Sequence, residues 1–180
     1  YRYQPFAYYM MNKPAGVVSA TTDERDRTVL DVFKSCMPEV STKDLFPVGR
    51  LDKDTVGLLL LTNDGELAHR LLSPKKHVPK TYYVETDFEI TKEMITQLEA
   101  GVDIGEKALT KEAVLELTGA KSCHLTITEG KFHQVKRMFQ AVGLHVVYLK
   151  RLSMGGLRLD ENLKEGEVRL LYEEEVKALC

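Results

Sequence analysis

The sequence predicts an α+β fold built on a largely antiparallel sheet. Short apolar and β-branched runs bounded by turn residues are interspersed with amphipathic stretches, without the regular strand–helix–strand spacing of a doubly wound protein. Two adjacent segments, "EAVLELTG" and "SCHLTITEG", alternate apolar with polar residues and read as an antiparallel pair. A chain of 180 residues, 43% hydrophobic and 29% charged, can bury a real core and suits one compact domain with two lobes.

Along the chain, "FAYYMMN" reads as a strand closed by Pro14-Ala15-Gly16, and "GVVSA" as a second strand after that turn. "TVLDVFKSC" has helical spacing, with Thr28 as N-cap and Pro38 as its stop. The run "GLLLLT" is a buried strand ending in the turn Asn63-Asp64-Gly65, and "DGELAHRLLS" is a short amphipathic helix terminated by Pro74. "KTYYVETD" is rich in aromatic and β-branched residues and predicts a strand. "TKEMITQLEAG" is a helix capped by Thr91 and stopped by Gly101. After the antiparallel pair, "KFHQVKRMFQAVG" is a helix with Val135, Met138, Phe139 and Val142 on one face and Gly143 at its end. "HVVYLKRLSMGG" and "EVRLLY" read as strands, and "EEEVKALC" as a closing helix.

Several function classes drop out. No apolar stretch approaches a membrane span, and the start, "YRYQPFAYYMMNKP", lacks a signal-like charge and hydrophobic pattern. Beginning at Tyr1, the chain is expected to have had something upstream of it. Cys36, Cys123 and Cys180 form no CxxC pair, which argues for buried or incidental thiols in a reducing cytosol. Neither GxxxxGK[ST] nor GxGxxG is present, the serines sit in no nucleophile elbow, and His124, His133 and His145 lack a matched acidic set. No metal site is expected, and these histidines read as surface or helix-cap residues.

The net charge of −2 conceals an uneven distribution. Residues 68–83 carry Arg70, Lys75, Lys76 and Lys80 with no acid, and residues 121–158 carry seven basic residues against Glu129 alone. Two basic segments in a near-neutral chain suit one positive face for a phosphate-rich partner, although solvated lysines on helix surfaces account for them equally well. The stretch "GRLDKDT" directly precedes the apolar run Leu58 to Leu61. Carboxylates beside a buried strand are costly unless paired. Asp52 and Asp54 are therefore either turn residues facing water, or one is held in a cleft for chemistry. A paired-carboxylate glycosidase is weakened by their period-two spacing and by the absence of tryptophan.

"NKPAG" at 12–16, "GRLDKDTVGLLLLTNDGELAHRLLSP" at 49–74, "KTY" at 80–82 and "EGKFHQVKRMFQAVGLHVVYLKRLSMGG" at 129–156 resemble, in order, the motifs of RNA pseudouridine synthases. The likeness covers nearly the whole chain and is strongest to the ribosomal small-subunit pseudouridine synthase A family. It implies a bilobed α+β catalytic domain over residues 1–180, with a long mixed, mostly antiparallel sheet, flanking helices and a central cleft. Members of that branch carry a small S4-type RNA-binding domain ahead of the catalytic one, so such a domain is expected upstream, outside this chain.

The resemblance implies isomerisation of one uridine in small-subunit (16S) ribosomal RNA, or in an assembly intermediate, without cofactor. The family's catalytic aspartate falls on Asp52, acting as nucleophile at the sugar C1′ or as base at C2′. An ionised Asp52 in a closed cleft needs a cation within reach, and Lys136 of "HQVKR" is the expected partner. Arg137, pointing elsewhere on the helix, is expected to hold phosphate. Tyr82 of the K-x-Y motif is expected to stack on the flipped uracil and relay a proton, and Tyr83 to face the core. Arg50, Lys80, His133 and Lys13 are expected to contact RNA or shape the cleft, Pro14 to serve the turn, and Asp54 to be exposed or structural. Val56 departs from the small or polar residue common after "DKDT", which reads as packing variation because Asp52 and Thr55 are intact. A monomer in the cytoplasm is the expected state. Action on large-subunit ribosomal RNA, or a catalytically silent assembly factor, are the alternatives.

Overall fold

The computed structural model describes residues 6–179. Nine strands and five α-helices are present among them: β1 (Tyr8–Lys13), α1 (Val29–Cys36), β2 (Phe46–Pro47), β3 (Val56–Thr62), α2 (Gly65–Leu72), β4 (Lys80–Thr86), α3 (Lys92–Ala100), β5 (Val114–Gly119), β6 (Ser122–Ile127), α4 (Gln134–Ala141), β7 (Val146–Met154), β8 (Leu157–Arg158), β9 (Val168–Leu170) and α5 (Glu173–Leu179). All strands join one mixed sheet in the order β5-β6-β4-β7-β3-β1-β9, with β2 added to β3 and β8 to β7. Every pairing is antiparallel except that of β3 with β7, which runs parallel over Val56↔Lys150 and Gly57↔Arg151. The fold is α+β, as the sequence predicts.

The unbroken apolar run of β3 follows from its position. Alternate residues face opposite layers: Leu59 and Leu61 join Phe33 of α1, Leu98 of α3 and Phe139 of α4, while Leu58 and Leu60 join Leu67 and Leu71 of α2 and Leu179 of α5. Both faces of β3 are therefore buried. Helix α1 starts with a capping box, in which Asp31 N–H donates to Thr28 Oγ1 at 3.2 Å and Thr28 N–H donates to Asp31 Oδ2 at 2.9 Å. Asp64, expected only as a turn residue, caps α2 by accepting from Leu67 N–H at 3.1 Å and also accepts from Tyr8 Oη at 2.6 Å.

Two expectations needed correction. "GVVSA" forms a single bridge, Val18 to Thr28, and not a strand. The Ser19 hydroxyl accepts from Leu51 N–H and donates to Leu51 C=O, both at 3.0 Å, so the segment is committed to the loop before β3. "EVRLLY" leaves the sheet after Leu171, whose N–H still donates to Tyr8 C=O at 2.9 Å, because Tyr172 N–H turns to Glu175 Oε1 at 2.8 Å at the start of α5. No helix among the described residues is long and apolar enough to cross a membrane.

Candidate active site

The loop between β2 and β3 lies at the seam where β3 meets β7. Its turn is closed by Thr55 N–H donating to Asp52 C=O at 3.0 Å. Beneath it stands Lys13, the last residue of β1, whose ammonium donates to the carbonyls of Pro14 (3.1 Å), Lys53 (3.1 Å) and Thr55 (2.8 Å). Lys13 was expected to touch RNA or shape the cleft floor. Being 0% exposed, with three backbone acceptors filling its three donors, it instead fastens the loop from within. Burial lowers its pKa to about 8 against the raising influence of Asp54 and Asp52.

Lys13→Met strands those three carbonyls and is expected to cost about 3 kcal/mol. Because the folded chain releases the Lys13 proton near pH 8 and the unfolded chain only near 10.5, the desolvation cost is present below pH 8 and is relieved as pH rises toward 10.5. Denaturant titrations from pH 7 to 10.5 should therefore show the stability gap between wild type and Lys13→Met widening with pH. A constant or narrowing gap contradicts this account.

Asp52 is carried by the pinned loop and faces α4. Its Oδ1 lies 3.2 Å from His133 Nε2 and its Oδ2 lies 3.3 Å from Lys136 Nζ. His133 sits at the N-terminus of α4 with φ +48°, and its ring stacks on Phe132 at 3.8 Å between centroids. The expected surface or cap histidine is thus a neighbour of the carboxylate. Lys136 also reaches Asp54 Oδ1 at 2.6 Å, its shortest contact, although the Asp54 side chain is 75% exposed. Asp54 is accordingly more than a turn residue. Burial alone would lower the Lys136 pKa, but the Asp54 hydrogen bond and the Asp52 charge outweigh it and raise the ammonium above its usual range. The same hydrogen bond is the main influence holding Asp54 below the usual carboxylate range.

Arg137 does not present a free guanidinium to phosphate. Nε donates to Phe132 C=O (2.8 Å), Nη1 to Ile104 C=O (2.7 Å) and Nη2 to Glu106 (3.1 Å), tying the start of α4 to the 104–106 segment. Gln134 braces the preceding loop, accepting from Lys131 N–H at 2.9 Å and donating to Glu129 at 3.1 Å.

A cavity of about 590 Å³ opens beside Asp52, with Arg50, Lys80, Tyr82, His133, Leu149 and Arg151 on its wall. Tyr82 is 8% exposed and belongs to the apolar cluster behind the cavity. Tyr83, expected to face the core, lies on the opposite side of β4, donating to Glu85 Oε2 at 2.6 Å and meeting His124 and Tyr148 edge-on. The phase of the strand put the wrong tyrosine inside. Arg50 is exposed at the rim, and Lys80 is half-buried on the same face of β4 as Tyr82. The sequence reading missed Arg151, whose signal is its phase: two residues after buried Leu149, it falls on the inward side of β7. Among the described residues, no group of three or more His, Cys, Asp or Glu is placed to hold a metal ion.

Residues 7–141 match the family model for RNA pseudouridylate synthase. The chain is 57% identical over 181 residues to the uncharacterized RNA pseudouridine synthase YtzG of Bacillus subtilis, covering 98% of this chain and 74% of the relative. It is 46% identical over 173 residues to the ribosomal small subunit pseudouridine synthase A of Escherichia coli K12, covering 96% and 73%. The crystal structure of a pseudouridylate synthase superposes with a TM-score of 0.90 at 40% identity, covering 99% of this chain and 75% of that one.

Proposed function

Because the chain belongs to the RNA pseudouridylate synthase family, whose members are isomerases acting on RNA, we propose that it converts one uridine of small-subunit ribosomal RNA to pseudouridine with Asp52 as the reacting group. The observation that carries the reading is Asp52 at the cavity wall, with one carboxylate oxygen beside His133 and the other beside Lys136. A carboxylate so flanked is oriented for attack at C1′ or for removal of the C2′ proton. The small-subunit substrate is supported by the 46% identity to small-subunit synthase A. Such a substrate would have the enzyme work in the cytoplasm.

A base inside a folded RNA must leave its stack to reach this carboxylate, and the Tyr82 ring on the cavity wall offers it a replacement surface. Lys136 balances the charge on Asp52 while shared with Asp54. Exposed Arg50 at the rim supplies positive charge toward the RNA.

The purified chain, incubated with small-subunit ribosomal RNA and with its protein-bound assembly intermediates, should form pseudouridine at one position, read by carbodiimide adduct mapping, and release no free uracil. Uracil release in place of pseudouridine would mark a glycosidase. The Tyr82 hydroxyl has no hydrogen-bond partner among the described residues, so Tyr82→Phe removes only an O–H facing the cavity. If that hydroxyl relays the proton released at C5, single-turnover formation of pseudouridine should slow about 10²-fold with RNA affinity unchanged. Wild-type rates from Tyr82→Phe would leave the ring as a stacking surface alone.

A further inference from the structure

Arg151 carries a charge that nothing in the protein answers. It lies on β7 at the centre of the sheet, paired with Tyr82 of β4 on one side and Gly57 of β3 on the other, and is 3% exposed. Nε donates to Leu58 C=O at 2.9 Å. Neither Nη atom has a hydrogen-bond partner among the described residues, and Nη2 is fully buried. Removing a guanidinium from water with no counter-charge is expensive, and such a group is retained where a ligand completes it.

Lys80 repeats the pattern. Two residues before Tyr82, on the same face, it carries an ammonium with neither ion pair nor hydrogen bond among the described residues. Burial first, and the nearby Arg151 charge second, hold its ammonium below the usual lysine range. The two acids on the cavity wall are already engaged: Asp52 by His133 and Lys136, and Glu129 by Lys111 N–H and Gln134. The wall next to Tyr82 therefore holds two cations and no spare anion.

We propose that Arg151, seconded by Lys80, donates hydrogen bonds to the carbonyl oxygens of the flipped uracil and stabilises the negative charge the ring acquires when it leaves the sugar. The inference rests on the uridine-isomerisation reading above. Whether Asp52 bonds to C1′ or takes the C2′ proton, the electron pair of the breaking C1′–N1 bond stays with uracil, spreading over N1, O2 and O4. The ring then turns and C5 bonds to C1′. The C5 proton is lost and N1 gains one, Asp52 is regenerated, and the atoms sum to an isomer. A fixed guanidinium aimed at those oxygens acts where charge develops, which is where a preorganised donor contributes most. A backbone phosphate is the poorer occupant, since Arg151 lies at the cavity floor beside Tyr82 and not at the rim.

The test uses ribosomal RNA carrying uridine, 2-thiouridine or 4-thiouridine at the mapped target, because sulfur accepts hydrogen bonds more weakly than oxygen. Wild type should be slowed by sulfur at one or both positions. Arg151→Gln should slow single-turnover conversion of plain uridine on the order of 10²-fold, with Kd unchanged and little further loss from sulfur. Lys80→Met should show the same pattern more weakly. The proposal is overturned if sulfur slows wild type at neither position, a readout that needs no variant to fold. It is equally overturned if Arg151→Gln loses only affinity, or if sulfur slows it as much as wild type. Failure of wild type to convert plain uridine falls instead on the isomerisation reading.

Discussion

Asp52→Asn should abolish pseudouridine formation while leaving the fold and RNA binding in place. The amide matches the carboxylate in shape, and its oxygen can still accept from Lys136 or His133, 3.3 and 3.2 Å from the two carboxylate oxygens. What it loses is the capacity to form a bond at C1′ or to take a proton from C2′. A loss on the order of 10⁴-fold or more is expected, the upper end of what a positioned proton-transfer group supplies and a lower bound for a nucleophile. Thermal melting should barely move, and Kd for ribosomal RNA should hold or tighten as a negative charge leaves a surface that meets phosphate. Equal product from wild type and Asp52→Asn would remove Asp52 from the chemistry and leave an RNA-binding module.

Gly57→Val should destabilise the fold severely. At Gly57 the backbone adopts φ +107°, and a Cβ there would lie only 2.3 Å from Arg151 O and 2.6 Å from Arg151 N. Neither is the end of a flexible side chain: both are backbone atoms of β7, at one of the two pairs joining β3 to β7. Relief requires the seam to part. Strain at positive φ and loss of that pairing together are expected to cost about 4 kcal/mol or more, against a total stability on the order of 10 kcal/mol for such a domain. Gly57→Ala should fail in the same direction. Gly65→Ala is the control, since nothing lies within 4 Å of its added Cβ and alanine favours the first turn of α2. Equal melting temperatures for the two alanine variants would refute the packing argument.

Elements announced by local chemistry were legible in the sequence. Thr28 and Thr91 cap their helices because a hydroxyl ahead of an amphipathic run meets unpaired N–H groups. The β5–β6 pair follows from alternation, and β3 from an apolar run short enough for a strand buried on both faces. Two-residue strands such as β2 and β8 carry no period to detect. At the site, motif resemblance singled out Asp52 and Tyr82, which line one cavity, and Lys136, 3.3 Å from Asp52. Motif position gave no hint that Lys13 spends its donors on backbone carbonyls, or that Arg137 spends its own on two carbonyls and Glu106. That depends on which carbonyls the tertiary fold brings near, and no local pattern encodes it. Tyr83 was assigned to the core because two adjacent tyrosines have no hydrophobic difference to show which of them packs inward.

The parallel seam between β3 and β7 spans two residue pairs, yet the acid and its neighbours come from opposite sides of it. Asp52 and its tether Lys13 belong to the part of the sheet built from β1 and β3. His133, Lys136, Tyr82 and Arg151 belong to the part built around β4 and β7. Neither portion owns all of the candidate reacting groups, so severing the polypeptide between α2 and β4 is expected to leave two inert pieces unless they reassociate in register. Turnover is thus a sensitive gauge of how truly the portions are docked, and it should fade on warming before the helices themselves melt.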